Sequence, residues 1–274
     1  LKNQPPIMQK LLLLVLVAFL ITSCTNKFAR IYETKTITDM TMDNGYYHFQ
    51  NDTFSIHYSF WANKGVLSYT IYNKLNIPVY LDWKKSSFVK NNEKFDYWMD
   101  ELNTNTLSYY RGNALSGVYY TGLDLIPILT ASSGRSSSVS KTKATKPERI
   151  TFLAPKSQIF KAQFIIYNNE PKEMNGFITS SIDNPLNAKK KIDIKSVKFN
   201  LNNSPIFFSN FFTYSTSEKF ETEAYIDNGF YVSRIVEMKQ GQFFGKGVTN
   251  PSEGYTYQFP FKNYMYYYVL YPVR

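Results

Sequence analysis

Phe54-Ser55-Ile56-His57-Tyr58-Ser59-Phe60 is the stretch that decides the fold. Apolar side chains fall at 54, 56, 58 and 60, and polar ones at 55, 57 and 59. A period of two puts one set on a buried face and the other towards solvent, which is the signature of a half-buried β-strand. Working downstream, Asn63-Lys64-Gly65 reads as a turn, and Val66 to Asn73 as the next strand. Lys74-Leu75-Asn76 then turns into a strand from Ile77 to Trp83. Pro78 cannot donate to a ladder, so it belongs at the start or edge of that strand. Ser87 to Asn91 and Lys94 to Trp98 form a further expected hairpin, closed by Asn91-Asn92-Glu93.

The composition agrees. The chain has 23 Tyr and 22 Phe among 274 residues, and aromatic and β-branched residues favour the pleated, half-buried surface of a sheet. Asn44-Gly45, Asn175-Gly176 and Asn228-Gly229 each carry the type I′ hairpin signal. Farther along, Gln158 to Tyr167, Ile192 to Leu201, Phe207 to Tyr214, Ala224 to Ile226 and Phe230 to Met238 add β segments. Tyr264 to Tyr271 is apolar on both faces, which predicts a central or doubly covered strand. The fold class is therefore all-β, with antiparallel sheets. No period of 20–50 residues suggests a repeat protein.

The N-terminus has a different character. Lys10 leads into eleven unbroken apolar residues, Leu11 to Ile21, followed by Thr22, Ser23 and Cys24, the only cysteine. The run is shorter than the roughly 20 residues a spanning helix needs and fits the core of a secretory signal. Ile21-Thr22-Ser23-Cys24 resembles the lipobox of bacterial lipoproteins. The resemblance implies cleavage between Ser23 and Cys24 after a diacylglycerol is attached to the Cys24 thiol, with an acyl chain such as palmitate on the new amino group. Two or three chains hold a protein where one binds only marginally. Met8 is a natural start, with residues 1–7 either an upstream extension or a start-site misassignment. Thr25 following the cysteine implies the outer membrane, and the run Thr25-Asn26-Lys27 favours its periplasmic face over the cell surface.

Removing residues 1–23 takes away Lys2 and Lys10, which leaves 29 basic against 21 acidic residues, net about +8. In an exported protein that balance points away from nucleic acid and towards anionic head groups or polysaccharide, or serves only solubility. With no further cysteine, no disulfide framework is possible.

The run Ile71 to Trp83, with Ser87-Phe88 after it, resembles a pattern in uncharacterised cell-envelope lipoproteins of the Bacteroidota. Pro155-Lys156-Ser157 and the segments Phe212 to Phe220 and Tyr225 to Ser233 extend the likeness. It implies an immunoglobulin-like β-sandwich and the same compartment, and carries no activity. The expected organisation is a helical signal peptide (1–23), a lipidated N-terminus and tether (24–44), and a β-sandwich (45–185) with a mobile Ser/Lys-rich loop (131–146). A second β-rich half (186–274) follows, either separate or packed into the same domain.

Chemistry-bearing constellations are few. His48 and His57 are the only histidines, and with Cys24 acylated they fall short of a zinc or copper ligand set. The expectation is no metal and no cofactor. Ser87-Phe88-Val89-Lys90 and Ser138-Val139-Ser140-Lys141 match the short Ser-x-x-Lys pattern, but neither stands at a helix start and no Lys-Thr-Gly follows. Asp96, Asp100-Glu101, Glu218, Glu221 and Glu223 could be paired as hydrolytic acids only by force. Gly241 to Gly247 is glycine-rich but opens no strand–helix unit, so it is no phosphate cradle. Tyr109, Tyr110, Tyr119 and Tyr120 lie in loop-like sequence where rings could stack on sugars, although one of each adjacent pair would face the core.

The expectation is a membrane-anchored envelope lipoprotein with a non-catalytic structural or protein-interaction role. A glycan-binding sandwich is the alternative, and a hydrolase with an unrecognised acid pair comes third.

Overall fold

The computed structural model describes residues 27–98, 148–167, 175–245, 247–250, 254–257 and 259–271. The decisive stretch forms β4 (Phe54–Ser59), and its apolar positions Phe54, Ile56 and Tyr58 are buried while Ser55, His57 and Ser59 are not. It belongs to a five-stranded sheet in the order β2 (Thr41–Asp43), β3 (Tyr46–Gln50), β4, β5 (Val66–Asn73) and β9 (Gln158–Ile165). Asn44 and Gly45 both have positive φ in the tight turn between β2 and β3, as do Lys64 and Gly65 before β5. At Gly65 a Cβ would come within 2.8 Å of the Tyr267 ring, so close packing as well as φ demands glycine.

The second sheet has nine strands. Its spine is β13 (Ala224–Lys239), flanked along one side by β1 (Phe28–Thr36). On its other side β12 (Phe207–Ser215) pairs with the first half of β13 and β11 (Asn187–Lys198) with the second. β16 (Tyr266–Tyr271) joins beyond β1, and β10 (Ile178–Asn184) beyond β11. β12 pairs in turn with β6 (Val79–Lys90), which carries β7 (Glu93–Asp96) and β8 (Ile150–Leu153) on its far side. Every strand pair among the described residues is antiparallel, and a small hairpin, β14 (Gly247–Asn250) and β15 (Gly254–Tyr257), stands apart.

The two large sheets close face to face as an all-β antiparallel sandwich over one aromatic core. Tyr58, Phe60, Tyr69 and Phe164 come from the five-stranded side; Trp83, Phe88, Phe208, Phe212, Phe230 and Tyr267 come from the nine-stranded side. Phe60, Phe208 and Phe230 meet edge-on or stacked with centroids 5.1–5.2 Å apart, the favourable separations for aromatic pairs. Asn210 and Asn228 sit at zero exposure in this core, each with one side-chain atom hydrogen-bonded while Asn210 Nδ2 and Asn228 Oδ1 go without a partner. Tyr97 donates to Asn210 Oδ1 at 2.6 Å, and Asn228 Nδ2 donates to Tyr58 at 2.8 Å.

Several sequence expectations need correction. The segment 24–44, read as a tether, contains β1, whose Ala29, Arg30, Ile31 and Tyr32 are all buried. Both its faces are covered, so no alternation betrays it. Asn228-Gly229 is no hairpin but the middle of β13, where Gly229 lets Ile37 pack against bare backbone. Asn175-Gly176 comes just before β10, and the residues ahead of it, 168–174, lie outside the described residues. The segments around Val79 and Ser87 are one bent strand, β6. At its bulge Ser86 Oγ donates to Asp82 O and accepts from the Thr213 N–H, supplying bonds that the displaced backbone cannot make. Strands from both sides of residue 185 share the nine-stranded sheet, since β6 pairs with β12.

A second, smaller cluster lies on the outer face of that sheet. Ala29, Ile31, Val236, Met238 and Tyr268 pack there against Trp61, Phe243 from a single helical turn α1 (Gln240–Phe243), and Ile192 and Ile194 of β11.

Candidate functional site

β11 is accompanied by β13 only from Lys195 to Lys198. Before Lys195 its ladder partner is β10 alone, so the two strands leave the sheet as a hairpin arm. Residues 187–191 are exposed throughout, a reach of about 15 Å at the usual rise of a strand. The arm closes at Asn184, whose Oδ1 accepts from the Leu186 N–H at 2.9 Å in an Asx turn. Leu186 is 45% exposed there, and Ile178 at the other end of β10 is 72% exposed.

Lys189, Lys190, Lys191, Lys195 and Lys198 stand on β11, opposed on the hairpin only by Asp183 and Asp193. Three consecutive lysines repel one another, and a strand displays them alternately on its two faces. The arm is thus positive from either side.

Its root is firmly held. One face lays Ile192 and Ile194 on the outer cluster. On the other face, Phe177 stacks over the Arg30 guanidinium at 5.4 Å, which also lies over Tyr271 at 4.8 Å and Phe28 at 5.5 Å. Arg30 Nε donates to Glu237 at 2.9 Å, and Lys195 approaches the same carboxylate at 3.9 Å. Burial alone would lower the Arg30 pKa. The Tyr271 hydroxyl and the Glu237 bond outweigh it and raise the value, so the guanidinium stays charged inside the sandwich edge. Tyr32 and Tyr271 share a hydrogen bond at 2.9 Å beside it, and burial pushes the Tyr271 hydroxyl up to about 12.

A second constellation is on the five-stranded sheet. His48 and His57 are direct cross-strand partners, with parallel rings at 5° and centroids 4.3 Å apart. His48 Nε2 is 2.8 Å from Ser55 Oγ. Burial and the neighbouring His48 both lower the His57 pKa. The juxtaposition of the two rings was missed in the sequence. A signal existed: the two residues stand four places either side of Asp52-Thr53, so a two-residue hairpin loop there sets them opposite each other.

The other residues singled out in the sequence are dispersed. Ser87 is buried in β6 beside the bulge, and Lys90, three residues on, points to the opposite face of that strand. Asp96 pairs with Lys94 at 2.7 Å, and Glu223 with Lys85. Glu218, Glu221 and Glu223 are exposed in and after the turn that follows β12, a solvated group of acids. The glycine-rich run from Gly241 contains α1, whose Phe243 is fully buried. Ser23, Cys24, Asp100, Glu101, Tyr109, Tyr110, Tyr119, Tyr120, Ser138, Lys141 and the whole loop 131–146 lie outside the described residues.

One acid is buried deliberately. Asp82 accepts from Arg149 through both carboxylate oxygens, at 3.3 and 2.8 Å, and from the Lys84 N–H at 3.0 Å. Burial by itself would raise its pKa, but these bonds hold it below the ordinary carboxylate value. Trp83 beside it donates Nε1 to Thr151 and carries Lys161 over its ring at 4.6 Å. This corner fastens β8 to β6.

No protein-family model, curated protein or solved structure matches the chain.

Proposed function

We propose that the chain is a lipid-anchored envelope protein that works by contact, with the β10–β11 arm as its contact surface and an acidic face of another envelope component as its partner. Lipid at Cys24 would hold the outer-membrane address, on the periplasmic face, and the arm would reach out from the sandwich body. The observation that carries this reading is the run of lysines on a hairpin that continues beyond its sheet. A strand pair with so little apolar cover is costly to keep ordered, and its root is braced by a buried ion pair and three aromatic rings.

The test is a photo-crosslinking side chain placed at Lys190 in intact cells. We expect one reproducible protein adduct, lost when Lys189, Lys190 and Lys191 are all changed to Glu. Adducts no more abundant than those from a crosslinker at exposed Glu221 would overturn the reading. Anchoring is separate: Cys24→Ala should release the protein from membranes or leave its signal uncut.

One observation favours the glycan alternative. Tyr225 is 72% exposed with its ring stacked on Phe211 at 5.7 Å, an open aromatic platform of the kind that sugar rings cover. Selective glycan-array binding, abolished by Tyr225→Ala, would establish that reading in place of the first.

A further inference from the structure

The outer face of the five-stranded sheet carries both histidines of the chain, and their placement has a chemical consequence. The Asn51 N–H donates to Phe54 O at 3.0 Å across the β3–β4 turn, which makes residues 51 and 54 a hydrogen-bonded pair. Pair types alternate along an antiparallel ladder, so His48 and His57, three steps along, form a non-hydrogen-bonded pair. Such pairs bring Cα atoms to about 4.5 Å and their side chains into closest approach. The rings lie nearly parallel, at 5°, with centroids 4.3 Å apart.

We propose that His48 and His57 form a two-histidine site for a divalent first-row transition ion. One ring nitrogen of each imidazole binds the ion, and water or an external donor fills the remaining positions. Imidazole is the protein ligand best suited to copper, nickel and zinc, and among divalent ions the affinity order peaks at copper. Bonds of about 2.0–2.1 Å to one tetrahedral ion need the two nitrogens about 3.3 Å apart. As they stand the ring planes are parallel, 5° apart with centres at 4.3 Å, so the nitrogen lone pairs do not converge. Binding requires both imidazoles to turn out of the stack about their side-chain torsions until one nitrogen of each faces the ion. Ser55, diagonal to His48 on the same face, already orients the ring from outside through its hydroxyl, as second-shell groups do at metal sites. Asp43 lies on this face too, two residues beyond Thr41, the β2 partner of His48, and acts electrostatically on His57. Its negative charge favours an arriving cation.

No group of three His, Cys, Asp or Glu side chains among the described residues encloses an ion. With two protein ligands, the rest of the ion's shell falls to water or an external donor. This departs from the sequence expectation of no metal, which counted histidines without pairing them.

The experiment is titration of the untagged full chain in detergent with Cu²⁺, and separately Zn²⁺, in a non-chelating buffer near neutral pH. Calorimetry is read beside the electron paramagnetic resonance of the copper form. One equivalent should bind, with hyperfine coupling from two nitrogens, and be removed by a chelator. His48→Gln and His57→Gln should each weaken it by more than the roughly 10–100-fold that loss of an outer-shell group costs, while the far-UV spectrum stays unchanged. Ser55→Ala should weaken it less than either. Absence of saturable binding, or binding that survives both histidine substitutions, overturns the proposal.

Discussion

The sandwich body and the β10–β11 arm use the same antiparallel ladder, yet opposite forces shape them. In β4 and β5 burial alternates residue by residue, and the inward set meets a second sheet packed against it. In β10 hardly a side chain is covered, and the outer part of β11 is wholly exposed. The body is held by apolar area removed from water; the arm is held by its own hydrogen bonds, two buried isoleucines and the Arg30–Glu237 brace at its root. Pairing alone makes a strand. Only a second layer makes a core, and a strand without one is free to carry charge.

Three measurements would break or sharpen that contrast. Phe60→Ala removes a ring with no exposure that touches Phe208, Phe230 and Tyr58, and should cost about 3–5 kcal/mol in denaturant unfolding. Ile182→Ala on the arm, where cover is partial, should cost less than about 1 kcal/mol. Equal losses would mean that the arm shares the core.

A smaller effect concerns acid. Asp82 has a folded pKa below its ordinary 3.8, so the unfolded chain binds its proton more readily. Its contribution to stability is complete above pH 3.8 and is lost as pH falls through the folded value. Asp82→Asn should lower stability at neutral pH, because it weakens the bond to Arg149, and should flatten the acid limb of the stability–pH curve.

The smallest effect is on the lysines themselves. Changing Lys189, Lys190 and Lys191 together to Ala should alter stability by no more than about 0.5 kcal/mol, since surface positions away from packed features rarely do more. A clear stabilisation would instead mean that their mutual repulsion strains the hairpin.

How much of this was readable beforehand varies by strand. β4 and β5 could be read directly, because one face of each is wet and the alternation survives in the sequence. β1 could not, because it is covered on both sides and its buried set includes a charged Arg30 that Tyr271 and Glu237, both over two hundred residues away, make tolerable. The turn at Asn44-Gly45 was legible. The identical pair at Asn228-Gly229 misled, since there a core tyrosine hydroxyl takes the asparagine amide and an isoleucine fills the space above the glycine. The histidine pair could be derived from the turn between its strands, and the basic arm shows in the sequence only as Lys189-Lys190-Lys191, just beyond the expected boundary at 185.

The sequence by itself determined the class of backbone, the turns set by glycine and asparagine, and the positive balance of charge. These follow from steric limits on φ and ψ, from the two-residue repeat of the pleat and from simple counting. Tertiary structure alone decided which strands became neighbours, that β1 runs through a sheet, and that the lysines project on an arm. Those outcomes depend on partners far along the chain, and no local pattern records which distant surface will arrive to cover a residue.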